Sequence, residues 1–532
     1  MNRIISAAVA AAALAGPVFF GGQALAQKAG GTLRGYPLDN PPSASIHEEA
    51  TISTVQPFMS VFNNLIIFDQ HSERNSLDGI QPELASEWKW NDDNTKVTFA
   101  LRPGVRWHDG KPFTSADVKC TWDTITGKRD AGWRKNPRKP WYDNLEGVTV
   151  NGDYEVTFQL GRPQPSFMAF LASGMSPVYP CHVPGRDMRV KPIGTGPFKV
   201  VEFKTNQFIH LAKNTDYWRQ DRPYLDGVQW RIIPSMSTRT LAFVAGDLDM
   251  TAMGDLSLFL LKDIKAQVPN AICPVGPTNT QLQMLMVRTA PPFDNEKLRR
   301  AFMLSVDRKA LRDILSEGQY KVGGAMLPPP DGVWGLSADQ LAGIAGYDGD
   351  AARNREEARS LMRELGYGPD KTLRIKLLTR NTPSYRDPSV IVIDHLKQIY
   401  VDAELEAADA AVWYARLTRR EFQFAVGVSG IGVDDPDVVF YESYSCGEQR
   451  NYSNYCNKQL DAKVNEQSAT PDPEKRKRLV WDIDRTLQAD GARPILYHVV
   501  AGTCMQPYVK GITIPRNALY NHWRLEDAWL DK

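Results

Sequence analysis

One short stretch of the chain concentrates side chains that could bind a metal or move protons. Residues 105–123 read VRWHDGKPFTSADVKCTWD, and the reactive types among them are His108, Asp109, Asp117, Cys120 and Asp123. Imidazole, carboxylate and thiolate groups that converge on one point are typical of a metal centre or of acid–base catalysis. Whether these side chains converge depends on the elements that carry them.

The local pattern favours a scaffold instead of a reaction centre. Asp109-Gly110 is a turn dipeptide, and Thr114-Ser115-Ala116-Asp117 matches a capping box that begins a helix. A metal site on a helix places its ligands at i and i+4, whereas His108 lies on the strand side of the turn. We therefore predict a strand, a turn and a capped helix here, with no metal site and no catalytic residues.

Composition and charge bound the class of protein. The chain has 532 residues, 42% of them hydrophobic and 10% aromatic, which is ordinary for a folded protein of two or three domains. The formal net charge of +1 gives no reason to expect nucleic acid or an anionic membrane surface as a partner. The motifs G-x-S-x-G and H-E-x-x-H are absent from the sequence, and no cofactor is expected.

The N-terminus has the order of a secretory signal. Arg3 precedes an apolar stretch over 4–20, and Ala24-Leu25-Ala26 is a small-residue cleavage site. A membrane anchor is the alternative, but glycine and proline interrupt the segment. We predict cleavage after Ala26 and export out of the cytoplasm, into a compartment where disulfides are permitted.

Six cysteines are present, and two of them suggest a pair. Cys446 and Cys456 flank the short polar segment CGEQRNYSNYC, so we predict a disulfide between them. The other four cysteines are too dispersed for the sequence to pair.

The first half of the chain is rich in strand patterns. VTFAL (97–101) and EVTFQL (155–160) alternate apolar and polar residues with a period of two, so residues 80–200 are predicted to form a β-rich unit. Residues 77–90, LDGIQPELASEWKW, are predicted to pass through a turn into a short helix.

From about residue 290 the pattern changes to alternating helices and strands. NEKLRRAFMLSVDRKALRDIL (295–315) places apolar residues on one helical stripe. The segments TLRIKLLTR, SVIVIDHLKQIYV, AELEAAD, AVWYARLTRR and FQFAVGVSG follow in the order strand, helix, strand, helix, strand. This order predicts a parallel sheet with helices on its faces.

Two strand ends of this α/β region carry opposite charge. Arg380 directly follows the apolar end of one strand, and Asp434, Asp435 and Asp437 follow another strand and two glycines. Ligands of α/β sheets bind at the carboxyl ends of strands, so a cation and an anion there could hold a zwitterion. The alternatives are a surface salt bridge for Arg380 and an Asx-turn before Pro436 for the aspartates.

Several ordered motifs resemble one family. PELASEW, DDNTKVTFALRPGVRWHDGKPFTSADV, GTGPFKV, KNTDYW, LRRAFMLSVDRKAL and RPILYH are similar to segments of family-5 solute-binding proteins of bacterial ABC importers, the dipeptide-, oligopeptide- and nickel-binding class. The resemblance covers essentially the whole mature chain. It implies an α/β, two-lobed periplasmic-binding-protein fold with hinge closure and an additional β-rich domain.

The resemblance also implies a domain plan. A signal peptide occupies 1–26, and lobe I combines 27–55, 205–288 and 505–532. The additional β-rich domain spans 56–204, and the α/β lobe II spans 289–504.

The same resemblance assigns candidate ligand contacts. In dipeptide-binding relatives an Arg after the corresponding strand binds the ligand carboxylate, and an Asp in a G-D-P-D-type loop binds its amino group. Those roles fall on Arg380 and Asp435, with Asp434 as the alternative because GVDDPD departs from the pattern by one residue. Further candidates follow from position and not from the resemblance: Asn381 and Tyr385 lie in the loop after Arg380, and Trp413 and Tyr414 begin the next helix. Core packing is the alternative for the two aromatic residues of the helix. YPLDNPPS (36–43) matches a segment where relatives offer backbone groups to the ligand.

The expected function is therefore a periplasmic receptor, a monomer that binds a short peptide or peptide-like zwitterion and delivers it to permease subunits in the inner membrane. Two alternatives are a nickel-complex or haem carrier of the same fold and a periplasmic hydrolase. The hydrolase would use paired carboxylates such as Asp434 and Asp437. Service to a membrane chemoreceptor is compatible with the same sequence.

Overall fold

The structure is a computed structural model that describes residues 27–129 and 132–532. The predicted signal peptide, residues 1–26, lies outside the described residues. None of the helices in these two ranges combines the length and the apolar character needed to cross a membrane.

The strands are numbered in chain order, and so are the helices. The strands are β1 (Thr32–Gly35), β2 (Ile66–Phe68), β3 (Ile80–Pro82), β4 (Ala85–Trp90), β5 (Lys96–Leu101), β6 (Leu145–Gly152), β7 (Glu155–Leu160), β8 (Phe198–Lys204), β9 (Phe208–Lys213), β10 (Gly227–Arg231), β11 (Val275–Met286), β12 (Leu373–Arg380), β13 (Val401–Ala408), β14 (Phe424–Gly430), β15 (Ile495–Gly502), β16 (Val509–Lys510) and β17 (Trp529–Leu530). The helices are α1 (Ile52–Phe58), α2 (Ser115–Ile125), α3 (Phe167–Ala172), α4 (Gly185–Met188), α5 (Met236–Val244), α6 (Leu258–Gln267), α7 (Glu296–Ser305), α8 (Arg308–Ser316), α9 (Ala338–Ala342), α10 (Ala351–Glu364), α11 (Pro383–Lys397), α12 (Ala410–Arg419), α13 (Pro436–Ser443), α14 (Lys458–Ser468) and α15 (Pro473–Ala489).

A five-stranded sheet with the order β13-β12-β14-β11-β15 organises the second half of the chain. β12 runs parallel to β13 and to β14, with α11 and α12 as the crossovers. The predicted strand–helix alternation and its parallel pairing are therefore confirmed. β11 and β15 extend this sheet in antiparallel fashion. Its hydrophobic core includes Phe302, Leu377 and Phe424, none of which is exposed.

The predicted β-rich unit contains an antiparallel sheet with the order β4-β5-β7-β6. Val97, Phe99 and Phe158 face its buried side, as their period-two spacing predicted. The helix predicted within residues 77–90 is wrong, because that segment forms β3 and β4 instead. β4 pairs its backbone with β5, so its hydrogen bonds run across the sheet instead of within a helix.

The stretch at residues 105–123 is a scaffold element. Asp117 accepts a hydrogen bond from the backbone N–H of Thr114 at 3.0 Å, and the predicted capping box at the start of α2 is confirmed. His108 lies 3.0 Å from the carbonyl oxygen of Gly196, so its ring joins this turn to the GTGPF segment. Cys120 forms a disulfide with a distant cysteine.

The segment 295–315 forms two helices, α7 and α8, although its apolar residues follow a single helical stripe through the whole segment. Asp307 separates them, because its carboxylate accepts from the backbone N–H of Ala310 at 2.9 Å and caps the second helix. Asp307 is the residue in the sequence that could have indicated this break, because aspartate is a preferred helix N-cap. The continuous apolar stripe on both sides of it concealed the break.

All six cysteines are paired. The predicted disulfide between Cys446 and Cys456 is confirmed. The four cysteines that the sequence could not pair form Cys120–Cys181 and Cys273–Cys504, with sequence separations of 61 and 231.

A second sheet has the order β1-β10-β9-β8, and its strands β1, β9 and β10 fall in segments predicted to belong to lobe I. Two strands pair across the predicted domain boundaries. β8 lies in the segment predicted to be the β-rich domain but pairs with β9, and β11 lies in a segment predicted to be lobe I but pairs with β14 and β15. The boundaries at 204 and 288 thus divide hydrogen-bonded sheets, and the detailed domain plan stays a prediction.

Candidate functional site

A cavity of about 560 Å³ lies between the two halves of the fold, within the size range of small-ligand sites. One wall consists of the segments 37–40 and 51–53 with parts of 232–239 and 254–255. The opposite wall consists of the loop after β12, residues 380–385, with residues 408–410 and Tyr414. The carboxyl ends of β12 and β13 therefore open into the cavity, as expected for an α/β lobe.

Arg380, the last residue of β12, lies in this cavity. Its Nη2 donates to Oδ2 of Asp39 on the opposite wall at 2.5 Å. The guanidinium also lies over the Tyr385 ring, 4.9 Å from its centroid, and 5.9 Å from that of Tyr414. Burial disfavours the charged form of Arg380, but the two tyrosines and Asp39 outweigh the effect of burial and raise the pKa of Arg380 above its ordinary value. Arg380 is thus a fixed, charged group in the binding space.

Asn381 and Tyr385 also line the cavity, as predicted from the loop position. The backbone N–H of Asn381 donates to the carbonyl of Ala408 at 2.8 Å and holds the loop to the end of β13. The Tyr385 hydroxyl donates to the carbonyl of Val428 at 3.1 Å. These bonds fix the surface against which Arg380 rests.

Trp413 lies in the core behind the cavity wall, where core packing was the alternative to ligand contact. Its ring is only 2% exposed and meets Tyr385 edge-on, with 5.9 Å between the ring centroids. A Cβ placed on Gly427 would lie 2.5 Å from the Trp413 ring, so β14 approaches the indole as closely as only glycine allows. Tyr414, the next residue, is the aromatic side chain that lines the cavity.

Asp435 does not line the cavity, and the expected contact with a ligand amino group is corrected here. Its Oδ1 accepts from the backbone N–H of Asp437 at 2.9 Å, which is the Asx-turn before Pro436 that was the alternative. Its two oxygens also accept from Arg476 at 2.7 and 2.9 Å. Burial disfavours the charge of Arg476, but Asp435 and Asp437 outweigh it and raise its pKa. The carboxylate is thus already neutralised inside the protein.

Asp434 is half-buried and also lies away from the cavity lining, so the alternative contact is corrected as well. Its carboxylate accepts from Nδ2 of Asn517 at 3.4 Å. Burial raises the pKa of Asp434 to about 7, because few groups nearby stabilise the ionised form. Asp437, its partner in the hydrolase alternative, is enclosed by Ser166, Gln467 and Ser468. The paired carboxylates of that alternative do not reach the binding space.

Four charged residues of the cavity escaped the sequence interpretation, and these are Asp39, Arg239, Asp255 and Asp409. Asp39 lies in the YPLDNPPS segment, from which only backbone contacts were expected. Arg239 and Asp255 form an ion pair at 3.3 Å, and the Tyr36 hydroxyl donates to Asp255 at 2.9 Å. No local pattern distinguishes Arg239 on α5 from an ordinary helix residue, so only the packing of α5 beside the N-terminal segment reveals it.

A two-walled cavity with charged groups on both walls, held between two α/β lobes, defines a ligand-binding protein of the periplasmic type. The chain belongs to the family described as bacterial extracellular solute-binding proteins, family 5, whose sequence profile matches residues 79–451.

Known proteins of this family align with most of the chain. The periplasmic murein peptide-binding protein MppA of Escherichia coli K12 is 25% identical over 513 residues, or 91% of each chain. The glutathione-binding protein GsiB of Salmonella typhimurium is 26% identical over 419 residues, covering 74% of this chain and 76% of that one. The periplasmic binding protein DppA of Helicobacter pylori, solved with the peptide STSA, superposes with a TM-score of 0.82 at 21% identity. That superposition covers 95% of this chain and 99% of the other, and it confirms the two-lobed fold.

Proposed function

We propose that this protein is the periplasmic substrate-binding component of an ABC importer and that it binds a short peptide or peptide-like zwitterion through Arg380. The observation that carries the proposal is the position of Arg380, charged and mostly buried, in the cavity between the lobes. A guanidinium binds a carboxylate through two parallel hydrogen bonds, which suits the free carboxyl end of a peptide. The family membership and the peptide-binding names of the relatives support the same function.

The rest of the cavity suits the body of such a ligand. Aliphatic side chains and tyrosines make up much of its lining, and the tyrosines are Tyr320, Tyr385, Tyr414, Tyr497 and Tyr520. Micromolar binding requires about −8 kcal/mol, of which two charged hydrogen bonds contribute roughly 3–6 kcal/mol. Apolar contact and expelled water supply the remainder, so the shape of these walls sets the selectivity for side chains.

The described residues that line the cavity include neither a histidine nor a cysteine. Such ligands are typical of sites for nickel complexes or haem, so the lining favours a peptide over those cargoes. The mechanism involves no covalent step. Ligand binding stabilises the closed arrangement of the lobes, and the closed protein docks on the permease.

Native mass spectrometry of protein freshly purified from the periplasm tests this function. The proposal predicts a retained solute that carries both a free carboxylate and an amine. Arg380→Ala protein, purified in parallel, should retain much less of it. Retention of a metal complex or haem, or of a solute without a carboxylate, would contradict the proposal. The same spectrum should give a chain that begins at Gln27, as expected for cleavage after Ala26.

A further inference from the structure

We infer that Asp39 accepts the cationic group of the ligand. A zwitterion would separate the Asp39–Arg380 ion pair on binding, with its carboxylate bound to Arg380 and its ammonium bound to Asp39. This inference rests on the proposed function and names the residue that selects zwitterions. Asp39 takes the role that the sequence predicted for Asp435, because the carboxylate of Asp435 is already paired with Arg476.

The geometry places the two charges on opposite walls. Asp39 belongs to the N-terminal segment and Arg380 to the end of β12, and their side chains meet at 2.5 Å across the cavity. The Arg380 side chain is 13% exposed and that of Asp39 41%. Arg380 is thus a fixed pole, whereas Asp39 is the solvent-reached partner that an incoming ligand can displace.

The other acids of the cavity are less suited to a ligand cation. Asp255 is nearly inaccessible and already accepts from Arg239 and Tyr36. Asp409 caps α12, where its Oδ1 accepts from the backbone N–H of Val412 at 2.9 Å. Within 27–129 and 132–532, the Asp39 carboxylate accepts only from Arg380 and, through Oδ1 at 2.8 Å, from the backbone N–H of its neighbour Asn40. Its Oδ2 becomes free as soon as a ligand carboxylate takes its place on the guanidinium of Arg380.

Charge balance makes the exchange selective. A zwitterion that enters the pair gives Arg380 a new carboxylate and Asp39 a new ammonium, so no charge is left without a partner in the closed cleft. An anion that lacks the ammonium would displace Asp39 and leave it unpaired. A cation that lacks the carboxylate would leave Arg380 unpaired. Either loss of a charged hydrogen bond weakens binding roughly 10- to 100-fold.

The test compares three forms of one peptide by isothermal titration calorimetry. The probe is the peptide that wild-type protein retains most strongly from a defined mixture of unmodified di-, tri- and tetrapeptides, with its N-acetylated and C-amidated derivatives. Wild-type protein should prefer the unmodified form. Asp39→Asn should bind that form roughly 10- to 100-fold more weakly. It should also bind the N-acetylated form more tightly than wild type does, because nothing competes for Arg380.

Arg380→Gln gives the mirror-image result and keeps the inference testable if the first variant is unstable. It should lose affinity for the unmodified peptide and gain affinity for the C-amidated form, because Asp39 is then unoccupied. Asp409→Asn is the matched control: it removes a negative charge from the same cavity, and asparagine still caps α12. It should leave the preference among the three forms as in wild type.

Three results overturn the inference. Asp39→Asn with an unchanged ratio between unmodified and N-acetylated peptide shows that Asp39 does not hold the ammonium, while the proposed function stands. Equal weakening of all forms by Asp39→Asn assigns it a purely structural role, with the same consequence. Wild-type protein that retains no peptide from the mixture contradicts the proposed function, and the inference fails with it.

Discussion

Asp435 and Arg476 form a buried ion pair with two hydrogen bonds, at 2.7 and 2.9 Å, and their side chains are only 5% and 3% exposed. This pair fixes the start of α13 against α15. The acidic loop after β14, which the sequence analysis predicted to contact a ligand amino group, therefore has a structural role in this protein. Removing the Asp435–Arg476 ion pair should therefore lower the stability of the fold more than it lowers ligand affinity.

The first prediction concerns this pair. Asp435→Asn should lower the free energy of unfolding by about 3 kcal/mol, because one carboxylate of a buried, hydrogen-bonded charge pair is lost. Urea denaturation measures the change. Asp482→Asn is the control, since its ion pair with Lys463 is exposed and should cost less than about 1 kcal/mol. Unchanged stability together with a selective loss of peptide affinity would restore Asp435 as a ligand contact.

The second prediction concerns the pH dependence of stability. In the folded chain, burial raises the pKa of Asp434 to about 7, whereas an ordinary aspartic acid ionises near pH 4. The stabilisation that this gives is complete below pH 4 and is lost as the pH rises towards 7. Asp434→Asn lacks the carboxyl and avoids that loss.

The free energy of unfolding of Asp434→Asn, minus that of wild type, should therefore increase between pH 4 and 7 and then level off. The total increase should be at most about 4 kcal/mol. Denaturation at a series of pH values measures it. The buried Asp484, whose pKa burial raises to about 6, is present in both proteins, so its effect cancels in the difference. A difference that is constant with pH would show that Asp434 ionises normally.

The third prediction compares two disulfides. Cys446–Cys456 closes a loop with a sequence separation of 10, and Cys273–Cys504 one of 231. On chain entropy, replacing the first pair by serine should cost about 3 kcal/mol and the second about 5 kcal/mol. Thermal and urea unfolding of the two double variants gives the order. A larger loss from the short loop would contradict the entropic explanation.

The fourth prediction concerns the support of the cavity wall. Gly427→Ala would place a methyl group 2.5 Å from the Trp413 ring, which has no room to move because it packs against Tyr385. We expect a loss of about 1–3 kcal/mol in stability and weaker peptide binding, since Tyr385 supports Arg380. Gly147→Ala, on a strand with open space around its Cα, is the control and should be close to neutral. Normal binding and stability in Gly427→Ala would show that the wall can adjust.

Much of the fold followed from periodicity and local signals. The alternation in β5 and β7, the capping box of α2 and the strand–helix order of β12 to β14 all depend on residues close in sequence. The helix predicted within residues 77–90 was wrong because pairing with β5 determines that this segment forms strand β4. The local pattern of residues 77–90 does not show that pairing. The break between α7 and α8 depends on one capping side chain within an unbroken apolar stripe.

The site was less predictable because its partners are distant in sequence. Arg380 could be placed in the cavity from its position at a strand end. Asp435 could not be excluded, because Arg476, which neutralises it, lies on a helix that no motif connects to the acidic loop. Asp39 is 341 positions away from Arg380, and only the fold brings the two side chains together.

A crystal structure of the protein with a bound peptide tests the central claim most directly. The account predicts that the ligand carboxylate accepts two hydrogen bonds from Arg380, at about 2.7–2.9 Å, and that Asp39 has released the guanidinium. A peptide seated in the cavity with its carboxylate elsewhere, and with Arg380 still paired to Asp39, would contradict it.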